Sequence, residues 1–198
     1  MKVFFITLVT LISFMALTVN INAQQTVEPS IETISTAVRY FAGGPALYDL
    51  STNYEIGRLD GTADPFNPNT TNDTYRTVWV FNISSIPTDA DIQEAALDVS
   101  ISGYQCSNCT GEFVALPNPI NVVDPEDVWD EVGASSTVYL STEYDQPLTD
   151  EPSISLKDDL IATLGNSDFF KIGARSEDEG NNETEAQAVF LTLRVTYT

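Results

Sequence analysis

The sequence of 198 residues contains no histidine, and it carries only 8 lysine and arginine residues against 29 aspartate and glutamate residues. Without histidine, the chain cannot build a Ser–His or Cys–His nucleophile pair or a histidine metal site. The formal net charge of −21 repels nucleic acid phosphates and anionic membrane surfaces. Nucleic acid is therefore excluded as a partner class, and a polyanionic glycan would need a bridging cation.

Long hydrophobic runs are also scarce, and the N-terminus holds the one that matters for export. Lys2 provides a short positive segment, residues 3–19 form an apolar stretch, and Ala23 ends it on a small residue. This order is typical of a cleaved export signal, with an uncleaved membrane anchor as the alternative. We expect a signal peptide at 1–23 and a single mature domain at 24–198, secreted or at the cell surface, with no membrane insertion after cleavage. Loss of Lys2 leaves 7 bases against 29 acids, a net charge of −22.

Residues 75–87 read YRTVWVFNISSIP and alternate between two faces. The face that carries two aromatic rings consists of Thr77, Trp79, Phe81 and Ile83. We expect this face to lie in the core and the strand to be a central wall of the fold, with a turn at 84–87 leading into its partner strand. The alternative makes Trp79 and Phe81 an exposed platform for sugar rings.

The same two-residue alternation recurs along the chain and predicts further half-buried strands. The inward positions are Ala95, Leu97, Val99 and Ile101; Phe170, Ile172 and Ala174; and Val189, Leu191, Leu193, Val195 and Tyr197. Residues 112–116 and 136–144 read as short strands, whereas 58–73 and 116–127 are rich in Pro, Asn and Asp and read as loops.

One segment breaks the alternation. Three leucines recur there at helical spacing: Leu156, Leu160 and Leu164. Ser155 and Asp158 form an acidic variant of the capping pattern, and Gly165 follows, so we expect one short helix near 155–164. Many short strands and a single helix predict an all-β fold, a two-sheet antiparallel β-sandwich of the jelly-roll type.

The segment RTVWVFNISSIPTDADIQEAALDVSI resembles the secreted DNRLRE-type β-sandwich domain, whose members are related to carbohydrate-binding modules. That pattern has an Arg-led strand ending in Phe-Asp-Leu-Ser, then Pro, then Ile-x-x-Ala-x-Leu. The matching positions are Arg76, Phe81, Asn82, Ile83, Ser84, Pro87, Ile92, Ala95 and Leu97. Two further segments resemble the same domain. One contains Trp129 and Glu131, and the other contains Arg175, Ser176 and Glu177.

The resemblance covers roughly residues 75–198 and departs from the pattern at two places. Asn82 stands where the domain has Asp, and Gln-Ala-Val-Phe-Leu replaces a Pro-led final strand. Most of the matching positions are core or turn residues. The resemblance therefore implies the fold more than an activity, and it implies carbohydrate binding through the related modules.

A cluster of aromatic residues around two glycines is the candidate ligand site. It consists of Tyr40, Phe41, Tyr48 and Tyr54. Aromatic faces can stack on the CH groups of sugar rings, while neighbouring Asn, Asp and Gln bind hydroxyl groups. The alternative is that some of these rings belong to the core and the others cover a sheet edge.

The loop DGTADPFNPNTTND places Asp60, Asp64 and Asn67 close together, with Asn69 and Asp73 nearby. Carboxylate and amide oxygens at short spacing are the ligands that calcium prefers, although the spacing is not that of an EF-hand. We therefore expect a structural calcium site here as the only cofactor, with a solvated loop as the alternative. The acidic run at 175–185 reads as a solvated hairpin turn.

Cysteine is almost absent, and its two copies, Cys106 and Cys109, stand in the sequence YQCSNCTG. Export would place them in an oxidising compartment, and residues i and i+3 of a turn have Cα atoms within about 7 Å. We expect a disulfide at a hairpin end. The rival is a thioredoxin-like redox pair, which needs a helix N-terminus and a lowered thiol pKa. The flanking strands and the negative local charge favour a structural disulfide instead.

These observations favour a secreted, non-catalytic domain similar to carbohydrate-binding modules, with a neutral or calcium-bridged polysaccharide as partner. The alternative is a structural or adhesive subunit that associates with like subunits at the cell surface. A small polysaccharide-active enzyme is the remote alternative. With 29 acidic residues, accidental carboxylate pairs are certain, and nothing in the sequence marks a catalytic pair.

Overall fold

A computed structural model describes residues 23–40, 47–51, 54–59, 73–104, 106, 108–117, 121–145, 151–177, 179 and 186–198. These residues form eleven strands and two helices. In chain order they are β1 (Gln25–Val27), β2 (Ile31–Tyr40), β3 (Leu47–Ser51), β4 (Gly57–Leu59), β5 (Asp73–Asn82), β6 (Ile92–Tyr104), β7 (Thr110–Ala115), α1 (Pro125–Ala134), β8 (Val138–Glu143), β9 (Glu151–Pro152), α2 (Ile154–Thr163), β10 (Phe169–Ser176) and β11 (Ala186–Tyr197).

The strands form two antiparallel sheets that pack face to face. The smaller sheet has the order β1-β11-β6-β9, and the larger has the order β3-β2-β5-β10-β7-β8, with β4 paired to the start of β5. The predicted all-β, two-sheet antiparallel sandwich is confirmed.

β5 lies in the middle of the larger sheet, between β2 and β10, as expected of a central wall strand. Trp79 and Phe81, with Ile83 just beyond the strand, are buried between the two sheets. The turn at 84–87 leads to β6 in the other sheet, so the prediction of a turn into the partner strand was wrong. The chain crosses the sandwich here, and β6 lies in the sheet that covers the buried rings of β5.

The space between the sheets holds the main hydrophobic cluster, which we call the inner core. Its members from the smaller sheet include Leu97 and Val99 of β6 and Leu191 and Leu193 of β11. These are positions that the alternation placed inward, because successive strand residues point to opposite faces.

A second cluster, which we call the outer cluster, covers the other face of the larger sheet. It consists of Ala37, Val78, Val80, Val114, Val128, Trp129 and Val132. The last three belong to α1, which begins inside a segment that the sequence analysis interpreted as a loop. Asp124 caps this helix by accepting a hydrogen bond from the backbone N–H of Glu126 at 3.0 Å, and Pro125 occupies its first turn.

α2 lies within one residue of the predicted helix, but its cap differs from the prediction. Ser153, rather than Ser155, is the N-cap, and its hydroxyl accepts a hydrogen bond from the N–H of Leu156 at 3.3 Å. Leu156 and Leu160 are buried in the inner core, and Gly165 follows the helix with a φ of 79°. Neither of the helices in the described residues is long and apolar enough to cross a bilayer.

Candidate functional site

A cleft of about 890 Å³ lies between α2, the C-terminal end of α1, and the first residues of β8 and β10. Glu131, Tyr139, Asp159, Phe169 and Lys171 are among its lining residues, and we call it the helix cleft. Its volume falls within the range of about 300–1,000 Å³ that is usual for small-molecule sites.

One wall of the helix cleft is fixed by a hydrogen bond between β8 and α2. The hydroxyl of Tyr139 donates to Oδ2 of Asp159 at 2.7 Å, and the Tyr139 ring stacks on Phe170 with centroids 6.3 Å apart. Burial, then the hydrogen bond to Asp159 and then its charge raise the pKa of Tyr139. The Tyr139 hydroxyl therefore stays protonated at neutral pH and holds the Asp159 carboxylate in place.

The floor of the helix cleft is the outward face of β10. Because strand residues alternate, Phe169 and Lys171 lie on this face while Phe170 and Ile172 enter the inner core, and Phe170 also borders the cleft. Phe169 is 38% exposed, so part of its ring is accessible in the cleft. Burial lowers the pKa of Lys171.

Hydroxyl and amide groups surround this floor. They belong to Ser135, Ser136 and Thr137 on one side and to Thr163, Asn166 and Ser167 on the other. The Asn166 amide donates to the Ala162 carbonyl at 2.9 Å, and Ser167 Oγ accepts from the Phe169 N–H at 3.0 Å. These bonds fix the turn that delivers Phe169 to the cleft.

The helix cleft thus combines one exposed aromatic ring with several hydroxyls, an amide and two carboxylates. Sugars present the complementary chemistry, since a pyranose has an apolar CH face and a rim of hydroxyl groups. Nothing in the described ranges groups three or more Cys, Asp or Glu side chains in a way that could hold a metal ion.

The predicted aromatic site lies elsewhere in the sandwich. Tyr40 and Tyr48 stand near each other on the paired strands β2 and β3, but their side chains, like Phe41 as a whole, are outside the described residues. Tyr54 is half-buried, and its ring centroid lies 5.3 Å from that of Phe190. The role of these four residues in ligand binding stays a prediction.

Asp60, Asp64 and Asn67, the predicted calcium ligands, also lie outside the described residues, together with Asn69. The structural calcium site stays a prediction. Asp73, at the end of the same loop, begins β5 and is only 4% exposed. Burial raises the pKa of its carboxyl group.

The predicted disulfide between Cys106 and Cys109 is confirmed, with Cα atoms 5.4 Å apart. Its predicted setting was wrong. β6 belongs to the smaller sheet and β7 to the larger, so the disulfide lies in a connection between sheets rather than at a hairpin end.

The acidic run at 175–185 is likewise not a hairpin, because β10 and β11 belong to different sheets. Arg175 pairs with Glu112 at 2.8 Å and donates to the carbonyls of Val132 and Gly133 near the end of α1. Glu179 pairs with Arg76 at 2.7 Å, with both side chains 15% exposed. These residues stabilise the attachment of α1 to the sheet.

None of the residues of the helix cleft was among the predicted site residues. One signal was present, because the alternation placed the aromatic ring of Phe169 on the outward face of its strand. The remaining lining comes from segments that only tertiary packing brings together.

No family model matches this sequence, and no curated protein matches it. The resemblance to the DNRLRE-type domain therefore stays a hypothesis.

Proposed function

We propose that this protein is a secreted, non-catalytic β-sandwich domain that binds carbohydrate in the helix cleft. The observation that carries the proposal is Phe169, a 38% exposed ring that lies among hydroxyl, amide and carboxylate groups. An exposed aromatic ring can stack on a sugar face, while the Asn166 amide can donate to or accept from its hydroxyls and the Asp159 carboxylate can accept from them. The resemblance of residues 75–198 to a domain related to carbohydrate-binding modules agrees with this proposal.

The ligand class follows from charge. Two carboxylates, Glu131 and Asp159, line the cleft beside one lysine, Lys171, within a chain of net charge −21. Long-range repulsion opposes polyanions at moderate ionic strength. The ligand is therefore a neutral polysaccharide, or an acidic one bridged by calcium.

Secretion is part of the proposal and is supported by the cysteine chemistry. Both cysteines are joined in the Cys106–Cys109 disulfide, and disulfides persist mainly in oxidising compartments. The signal-like segment at 1–23 supplies the export route. Intact-mass measurement of the exported protein tests this part, and retention of residues 1–23 would contradict it.

The test of binding is calorimetry of the exported protein against soluble neutral polysaccharides such as xylan, mannan and mixed-linkage glucan. We expect Phe169→Ala to weaken binding of the recognised polymer by about tenfold or more, since buried aromatic contacts dominate binding energies. Phe190→Ala is the matched control, because Phe190 is 54% exposed and lies outside the helix cleft. Equal losses in both variants would argue against the cleft as the site.

A second arm tests the charge argument. Alginate and pectate are titrated with calcium and then with a chelator, and we expect any binding to disappear with the chelator. Tight, chelator-resistant binding of a polyanion would contradict the proposed ligand class. Absence of binding to every polymer, combined with concentration-dependent assembly in sedimentation velocity, would favour the self-associating subunit instead.

A further inference from the structure

A smaller depression, which we call the turn pocket, lies at the end of α2 beside the helix cleft. It has a volume of about 270 Å³ and lies between the connection from β5 to β6 and residues 164–168. Asn166 and Ser167 line both depressions, whereas Ser84 and Thr88 line only the turn pocket. The two depressions therefore share the short turn between α2 and β10.

Backbone hydrogen bonds hold this turn in place. The N–H groups of Asn166 and Ser167 donate to the Thr163 carbonyl at 3.0 and 3.1 Å. The N–H of Ile83 donates to the Asp168 carbonyl at 2.8 Å, which ties the turn to the connection from β5 to β6. The two walls of the turn pocket are thus fixed relative to each other and to the helix cleft.

The aromatic ring of the proposed carbohydrate site belongs to a residue bonded to this turn. Ser167 Oγ accepts a hydrogen bond from the N–H of Phe169 at 3.0 Å, and Ser167 borders both depressions. Asn166 is exposed on the same turn, and its amide uses one N–H on the Ala162 carbonyl at 2.9 Å. The second N–H and the amide oxygen stay available to a ligand that passes from one depression to the other.

The lining of the turn pocket suits a hydroxylated ligand but is too limited for a site of its own. Ser84 and Thr88 are exposed and carry hydroxyl groups, while isoleucine and leucine side chains provide aliphatic surface. The described lining includes Asp168 but no lysine, arginine or aromatic residue. The volume lies below the range of about 300–1,000 Å³ that is usual for small-molecule sites. The turn pocket therefore fits an auxiliary contact better than an independent site.

We propose that the turn pocket is a second subsite for the polysaccharide that the helix cleft binds. One sugar unit stacks on Phe169, and the adjoining part of the same chain crosses Asn166 into the turn pocket. This second subsite rests on the proposed function, because the helix cleft provides the aromatic contact. Since the sugar units are covalently linked, the second contact is intramolecular once the first is made, and weak hydrogen bonds then add to the affinity. The protein should therefore select a stretch of polysaccharide rather than a single sugar.

The probes are oligosaccharides prepared from xylan, mannan and mixed-linkage glucan, in series from the monosaccharide to the hexasaccharide. Calorimetry with the exported protein gives the affinity for each length. In the series that is recognised, we expect the affinity to rise by about tenfold or more with chain length and then to level off once both subsites are filled. In ¹⁵N–¹H spectra the hexasaccharide should move the backbone signals of Ser84 and Thr88, whereas the monosaccharide should move only signals around Phe169.

A variant of the turn pocket separates the two subsites. Thr88→Leu removes a hydroxyl and fills part of the pocket with aliphatic atoms, so the gain in affinity with chain length should be lost while the monosaccharide binds as before. Thr33→Leu is the matched control, because Thr33 is also exposed and lines neither depression. We expect Thr33→Leu to keep the full gain.

The outcomes distinguish this subsite from the proposed function. If Phe169→Ala abolishes binding but the affinity does not depend on chain length, or Thr88→Leu keeps the full gain, the second subsite is overturned and carbohydrate binding in the helix cleft stands. Signals of Ser84 and Thr88 that stay in place at saturating hexasaccharide would also overturn it, and this measurement decides the matter even if Thr88→Leu fails to fold. Absence of binding to every oligosaccharide and to the parent polymers would overturn both.

Discussion

The larger sheet buries apolar side chains on both faces, but the two faces are covered in different ways. Its inner face packs against a whole sheet, and the inner core draws on strands from both layers and on α2. Its outer face is covered by the ten-residue helix α1, which contributes Val128, Trp129 and Val132 to the outer cluster. The inner core lies between two hydrogen-bonded sheets, whereas the outer cluster depends on how one short helix is attached.

Charged groups make that attachment. The Arg76 guanidinium lies 3.9 Å from the ring centroid of Trp129, donates to the Trp129 carbonyl at 2.5 Å, and pairs with Glu179. Arg175 occupies the carbonyls of Val132 and Gly133 near the C-terminus of α1, a position where positive charge favours the helix dipole. Burial of apolar side chains stabilises both clusters, and in the outer cluster the cations of Arg76 and Arg175 also fix the helix.

The largest loss of unfolding free energy should follow from removing an aromatic ring of the inner core. Phe81→Ala deletes a fully buried ring of the inner core, and we expect the free energy of unfolding to fall by about 3–5 kcal/mol. Urea denaturation followed by circular dichroism measures it. Phe81→Leu is the milder companion if the alanine variant does not fold, and a loss below about 1 kcal/mol in the alanine variant would show that this core relaxes freely.

The next effect concerns how closely α1 approaches the sheet. A Cβ atom at Gly173 would lie 2.9 Å from Val132 Cγ2 and 3.1 Å from Val114 Cγ2. Gly173→Ala must therefore push α1 away, and we expect a loss of about 1–3 kcal/mol in unfolding free energy.

Gly111→Ala is the matched control for that variant. Its Cβ would lie 3.2 Å or more from the nearest atoms, which are the ends of the Ile56 and Tyr144 side chains. We expect a smaller loss than in Gly173→Ala. The reverse order would show that the outer cluster adapts more easily than the inner core.

The same contrast separates what the sequence could predict from what it could not. Alternation in β6 and β11 revealed the inner core, because one face of each strand is apolar and the other is mostly polar or exposed, with Ala96 as a buried exception. In β5 the alternation was ambiguous, since Val78 and Val80 face outward and are nevertheless buried. Nothing within β5 says that a helix covers that face.

The sequence does contain a start signal for α1, but the composition of the preceding residues favours a loop. Asp124, Pro125 and Glu126 form a capped helix start with an acidic first turn, but the Pro and Asn residues just before them favoured a loop. The helix cleft could not be predicted from the sequence for a different reason. Glu131 is far from Asp159 and Phe169 along the chain, and the packing of two helices on the sandwich brings the three residues to one cavity.

A smaller effect should follow from the choice of cation beside Trp129. Arg76→Lys keeps the charge but loses the bidentate pair with Glu179 and the planar stacking, so we expect a loss of about 1–2 kcal/mol. Arg194→Lys is the control, because its partners Glu28 and Asp98 are 58% and 44% exposed at 3.4 and 3.6 Å, and such surface pairs contribute roughly 0–1 kcal/mol. If thermal unfolding shows equal losses of unfolding free energy in the two variants, the contacts of Arg76 with the Trp129 ring and carbonyl contribute nothing to stability.

The smallest and sharpest comparison removes the same two methyl groups from each cluster. Val195 of the inner core and Val128 of the outer cluster are both fully buried, so Val→Ala deletes equal apolar area at each. We expect each variant to lose roughly 1–3 kcal/mol. The loss at Val195 should be larger by about 0.5–1 kcal/mol, because a cavity between two hydrogen-bonded sheets collapses less than one beneath a single helix. Paired urea titrations at one temperature resolve such a difference, and a larger loss at Val128 would show that α1 is fixed as rigidly as the sheets.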